Sequence, residues 1–281
     1  MSMSILKGIH RRMLGIGFRD EVIARSGFVA GGEDRPAIVL PGNPDTVALF
    51  DDFLGDLIAD EWAFVKGDTG TVSTGALTSA SGGVFRMQHE PVPLNVSGEN
   101  LALTQGLFKN WKVDSGGPKN ARLRMSARVK IESVSRTVKR QHVFVGFTDT
   151  GGAEFPAFDT GAGVVSNATD LVGFLFSPGG DTGWSLVACR ADTDQLAVAG
   201  SNYGPSANTY TTLEVEVRSG ISDTGGRAHF WVDGKKVGSI DSPLTSSVAL
   251  SPYIGFWVQD TGPRFLDVDY VALSQPRDTG F

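Results

Sequence analysis

From Arg122 onward the chain alternates apolar and polar residues with a period of two, in short runs broken by Gly, Asp, Asn and Ser. RLRMSARVKI (122–131) places Leu123, Met125, Ala127, Val129 and Ile131 on one face. Arg122, Arg124, Arg128 and Lys130 fall on the other. That spacing predicts a strand with one apolar side. HVFVGF (142–147), LVGFLFS (171–177), WSLVACR (184–190) and TLEVEVRS (212–219) continue the series. Their fuller apolar runs predict strands covered on both faces. AHFWVDGKKVGSI (228–240) alternates on both sides of Asp233-Gly234. Asp-Gly between two such runs predicts a hairpin, because a tight primed turn needs positive φ. SPYIGFWV (251–258) and FLDVDYVAL (265–273) close the chain as two more strands.

The 36 glycines fit many short strands joined by tight turns, and 281 residues can bury a full core without staples. One β-sandwich domain is expected over residues 47–281. Residues 1–46 differ: Lys7, Arg11, Arg12 and Arg19 stand against the single acid Asp20 in the first twenty residues. Two short apolar runs follow, interrupted by Gly-Gly and prolines. Such a segment buries little surface alone and reads as an extended arm. A glycine-rich arm of this kind is expected either to dock on a partner or to fold back along the sandwich. The docking residues would be Ile5, Leu6, Ile9, Arg11, Arg12, Phe18, Arg19, Phe28, Ile38 and Leu40.

Charge narrows the partners. A formal charge of −6 argues against nucleic acid, which needs a concentrated basic face. Seven basic residues against one acid at 120–142 could meet an acidic surface or glycan, or form a solvated strand exterior. The seven acids of residues 41–70 read as capping and solubility rather than a cation site. Cys189, the sole cysteine, permits no internal disulfide and reads as a small core residue. No apolar run reaches membrane-spanning length, and no secretory-type apolar stretch opens the chain.

The tail, with its V-DG-x-x-V hairpin and closing x-VDYV strand, resembles the C-terminal strands of concanavalin A-like lectin/glucanase sandwiches. Asp51, Asp52, Phe53, Gly55 and Trp62 match a DDF-x-G opening followed by Trp. That opening resembles lectin-like domains of bacteriophage virion proteins. The resemblance implies an all-β, antiparallel jelly-roll sandwich behind an extended arm. It further implies a non-enzymatic virion structural protein, made in the host cytoplasm and carried on the particle, with the head exterior favoured. As a capsid decoration protein it would lay its arm on the major capsid protein or another virion protein and project the sandwich outward. A homo-oligomer follows, a trimer suiting a threefold axis. The alternative is a tail-fibre or baseplate adhesin that binds a host surface polysaccharide; a glycoside hydrolase ranks below both.

Catalytic patterns are thin. FDTGAG (158–163) spells an aspartic-protease signature, yet Asp-Thr-Gly occurs seven times at irregular intervals. Asp bonding its own backbone and Gly taking positive φ make these turns. Glucanases of the resembled fold carry alternating carboxylates on one strand. Glu214-Val-Glu216 is the nearest match, followed by Arg218 where a third acid is lacking. Asp267-Val-Asp269 matches the structural closing strand. His10, His89, His142 and His229 share no ligand spacing, so no metal or cofactor is expected. Glycan-facing candidates are Trp111, Trp184, Tyr253 and Trp257, whose rings could meet the apolar sides of sugars. For Trp231 and Trp257 the strand setting also permits core packing.

Overall fold

The structure is a computed structural model that describes residues 46–51, 62–66, 84–89, 99–104, 122–132, 134, 141–150, 155–159, 163–177, 183–198, 203–218, 226–246, 248–258 and 264–276. The arm residues Ile5, Leu6, Ile9, Arg11, Arg12, Phe18, Arg19, Phe28, Ile38 and Leu40 lie outside the described residues, as do Trp111 and Asp52, Phe53 and Gly55 of the DDF-x-G opening.

Period-two patterning resolves into two antiparallel sheets packed face to face as a jelly-roll sandwich. Across the first sheet lie β1 (Thr46–Asp51), β16 (Arg264–Pro276), β5 (Arg122–Ile131), β12 (Tyr210–Arg218), β13 (Arg227–Val232) and β14 (Lys235–Asp241). β3 (Phe85–His89) joins the same sheet beside β16. The second sheet runs β11 (Thr193–Val198), β10 (Ser185–Arg190), β9 (Asp170–Phe176), β6 (Gln141–Thr148), β15 (Ser251–Val258), β4 (Glu99–Thr104) and β2 (Ala63–Lys66). The first and last of the described strands are neighbours, with Thr46 opposite Pro276 and Asp51 opposite Val271.

The core forms where the two inner faces meet. Leu123, Met125, Ala127, Val129 and Ile131 all point inward from β5. They meet Val143, Val145 and Phe147 of β6 and Val172, Phe174 and Phe176 of β9. Phe174 of one sheet and Phe230 of the other stand edge to face with centroids 5.3 Å apart, an orientation that aromatic quadrupoles favour. β6 and β9 are buried along their whole length, as their continuous apolar runs imply. A small hairpin of β7 (Ala157–Asp159) and β8 (Val164–Ser166) explains this on the outer side. Its Ala157 and Val164, with neighbouring Phe155, pack with Phe144, Leu175, Val187, Cys189 and Tyr253 in a second apolar cluster. Burial pushes the Cys189 thiol up to about 12, so it stays protonated and inert.

Local chemistry sets the turns. Asp233 and Gly234 both take positive φ (49° and 75°), as the predicted primed hairpin requires. The turn is also tied to β12: Asp233 N donates to Thr212 O at 2.8 Å, and Thr212 N donates to Asp233 Oδ1 at 2.8 Å. A second hairpin, β10–β11, turns on Ala191 and Asp192, at φ 47° and 63° without any glycine. In mid-sheet Gly146 faces Gly173 across β6 and β9. A Cβ on Gly146 would sit 2.2 Å from Val172 O, so the two strands approach only because both residues lack one.

Candidate functional site

The outward residues of the first sheet form rows across three strands. Ser126, Glu214 and Trp231 are in register on β5, β12 and β13, and Arg124, Glu216 and His229 form the next row. Charges in this grid are matched. An Arg124 Nη2 donates to Glu214 Oε1 with both side chains buried. Arg218 Nε donates to Glu216 Oε1, and Arg122 Nε lies 3.9 Å from the same oxygen. Farther along β5, Lys130 Nζ is 2.7 Å from Asp267 Oδ2, and Arg128 Nη1 donates to Asp269 Oδ2 at 2.6 Å. The basic stripe of β5 is therefore largely neutralised by acids on β12 and β16. It is neither a bare solvated exterior nor a run of unpaired cations.

The Glu214-Val-Glu216 pair lies at the centre of this face. Glu214 is 4% exposed and Glu216 fully buried. Burial raises the Glu214 carboxyl to about 7, against the downward pull of Arg124 and with a further push from Glu216. His229, opposite Glu216, is lowered to about 4 by burial and by the cations Lys236 and Arg218, so it is neutral at pH 7. Among the described residues, Glu216 Oε2, His229 Nδ1 and Trp231 Nε1 of the same two rows are buried without a hydrogen-bond partner. Chemically the pair offers an acid that is partly protonated at neutrality beside a carboxylate held by guanidinium. That division of roles is the one glycoside cleavage uses. Their burial keeps a polymer away from both in this conformation.

The outer face of the second sheet is aromatic instead. Trp257 on β15 is opposite His142 on β6, with ring centroids 4.9 Å apart. Phe158 of the β7–β8 hairpin meets the Trp257 ring edge-on at 4.9 Å. The hydroxyl of Ser177 hydrogen-bonds His142 Nδ1 at 2.9 Å, which fixes the imidazole. Trp257 and Phe158 are both half-buried.

The aromatic candidates divide accordingly. Trp184 is fully buried in the intersheet core, edge-on to Phe174 and Phe176, and Tyr253 is fully buried in the outer cluster with Phe144 and Phe155. Neither presents a face to a sugar, a correction that follows from the side of the sheet to which each ring is committed. Sequence reasoning missed His142 and Phe158 as neighbours of Trp257. An alternating strand shows which residues share a side, but not which strands lie next to each other. Asp159, from the protease-like signature, ends β7 in the hairpin. Among the described residues no three His, Cys, Asp or Glu converge as metal ligands.

No family model and no curated protein matches this sequence. Solved structures do match the fold. An endo-1,3-beta-glucanase from Streptomyces sioyaensis aligns over 85% of this chain and 99% of its own, with TM-score 0.52 and 12% identity. An endo-beta-1,4-glucuronan lyase from the fungus Trichoderma reesei aligns over 80% and 94%, with TM-score 0.51 and 13% identity. A GlcNAcα1-4Gal releasing endo-β-galactosidase from Clostridium perfringens aligns over 87% and 66%, with TM-score 0.50 and 12% identity. The fold thus resembles the concanavalin A-like lectin/glycosidase jelly roll, as its closing strands implied. The expectation that the chain is not an enzyme is corrected by these similarities. All three proteins are named for cleaving glycans, so a sandwich of this kind carries such chemistry in those proteins, and the fold gives no ground for excluding it here.

The Glu214 shift has a pH consequence with a definite sign. A carboxyl raised from 4.5 to about 7 contributes stability that is fully present below pH 4.5 and is lost as pH rises through 7. Urea unfolding of the chain and of Glu214→Gln, compared from pH 4.5 upward, should show the wild type losing about 3 kcal/mol relative to the variant by roughly pH 8. A difference that stays constant with pH would show that Glu214 is not held protonated.

Proposed function

We propose that this chain is a glycan-directed jelly-roll domain that recognises a polysaccharide at the aromatic corner of its second sheet. The observation that carries the reading is Trp257. Its ring is half-buried on an outer sheet face, braced by His142 and by Phe158. A braced aromatic ring loses little freedom on binding, and its apolar face suits the apolar side of a pyranose. Jelly-roll similarity to glycan-cleaving proteins supports the substrate class as an analogy of fold. Glycan-array binding by the full chain should be reduced at least about tenfold by Trp257→Ala, the weight of one buried stacking contact. Binding that survives the substitution intact would remove this corner from the site.

Cleavage of the bound glycan is the second reading, favoured by one specific observation: Glu214 is an acid near neutrality two residues from Glu216 on the same strand face. Because both are buried, turnover requires this face to open. Reducing-end assays on β-glucans should then show activity that Glu214→Gln and Glu216→Gln each lower by about a hundredfold or more. Activity that is equal in all three proteins would assign the pair a structural role.

The particle setting rests on the DDF-x-G resemblance. On a phage, a glycan-directed sandwich serves as a tail-fibre or baseplate adhesin, where repeated copies turn weak single contacts into firm attachment. Immunogold labelling of particles should then decorate the tail. Label spread over the head would instead favour decoration, with the arm laid on the major capsid protein.

A further inference from the structure

We infer that the aromatic corner continues across the β7–β8 hairpin as a site for acetamido groups, so that the glycan it takes carries N-acetylhexosamine. The inference rests on the glycan reading above and names its substrate class. Hairpin register lays out the surface. Phe158, whose ring meets Trp257 edge-on at 4.9 Å, is opposite Val165 of β8. Opposite residues of an antiparallel pair share a face, so Val165 extends the apolar surface of Trp257 and Phe158 by one strand. The other face of the hairpin holds Ala157 and Val164, which are buried in the outer cluster.

Val165 is 51% exposed, the most open of the large apolar side chains described. Single exposed aliphatics are ordinary, but this one continues a patch that already holds two half-buried rings. A branched aliphatic side chain offers no flat face on which a pyranose can stack. It suits a methyl group that projects beyond the sugar ring.

Asn167 supplies the polar half. It is exposed and directly follows β8, where alternation returns it to the side of Val165. Its backbone N–H donates to Pro156 O at 2.8 Å, and its Nδ2 donates to Phe155 O at 3.0 Å. The amide is thereby oriented, and its Oδ1 keeps no partner among the described residues. Ser166 closes the turn that carries it: Oγ accepts from Ala168 N at 3.0 Å and donates to Ala168 O at 2.8 Å. An acceptor fixed in advance loses little freedom on binding. A methyl contact beside a fixed acceptor is what an acetamido group requires, with its methyl on Val165 and its N–H donated to Asn167 Oδ1. A methyl-ended deoxy sugar brings the methyl without the donor, and an unsubstituted hydroxyl brings the donor without the methyl.

A glycan array printed with matched pairs tests the idea, with N-acetylated chitotetraose beside cellotetraose and N-acetylgalactosamine beside galactose. The members of each pair differ in acetamido against hydroxyl. The full chain should favour the acetamido member of at least one pair by about tenfold. Val165→Ala should cut that preference about threefold and Asn167→Ala about fivefold, with thermal unfolding of both checked against the parent chain. Phe50→Ala removes a comparably exposed apolar side chain on the first sheet and should leave the preference unchanged. An equal loss in all three variants, or no preference within either pair, would overturn the acetamido site. If binding without preference were still lost in Trp257→Ala, the glycan reading would stand alone. An empty array would overturn both.

Discussion

The outer face of the first sheet is held by opposite charges in register, and β5 is the strand on which that arrangement turns. It lies between β16 and β12 and offers cations to both. A buried guanidinium–carboxylate pair such as Arg124–Glu214 adds little net stability, since desolvation offsets most of the attraction. Its effect is on register. Shifting β5 by one residue would drive Arg122, Arg124, Arg128 and Lys130 into the intersheet core, take from Glu214 and Asp269 the cations they pair with, and take from Asp267 one of its two. The charges therefore penalise wrong pairings more than they strengthen the right one. Apolar alternation on the opposite side of the strand gives the same instruction.

The two outer faces of the sandwich consequently have different chemistry. One is a lattice of cations and carboxylates with a neutral histidine at its centre. The other is an apolar cluster capped by a hairpin, with an aromatic corner where the cap ends. Glycans have both characters, apolar ring faces and polar or acidic substituents. The division also separates what can be altered cheaply from what cannot. The aromatic corner and the Arg128–Asp269 pair lie partly in solvent, whereas Glu214 and Glu216 sit where a lost charge partner leaves a buried ion.

Much of the fold was legible because burial acts on one strand at a time. Alternation in RLRMSARVKI named the inward residues of β5, and Asp233-Gly234 named its hairpin from local turn chemistry. β11 was not legible, because its turn uses Ala191 and Asp192, and nothing in that dipeptide announces positive φ. The charge pairing was hidden for another reason. Arg124 and Glu214 are 90 residues apart in the chain, and Arg128 and Asp269 are 141 apart. A basic stripe read on its own strand shows no partner. Trp184, Tyr253 and Trp257 look alike in sequence for the same reason: which ring reaches solvent depends on the side of the sheet it takes and, on the outer side, on where the small hairpin packs.

The bonds between Asp233 and Thr212 reach beyond the turn they close. A hairpin at the free edge of a sheet usually frays by itself, its tip peeling away first. Here the tip is fastened to the strand behind it through backbone and side chain together. β13 and β14 cannot lift without breaking their hold on β12, and β12 carries the buried carboxylates. The edge of this sandwich is thus a cooperative unit of three strands, and access to its most protected charges is governed by a turn exposed to water.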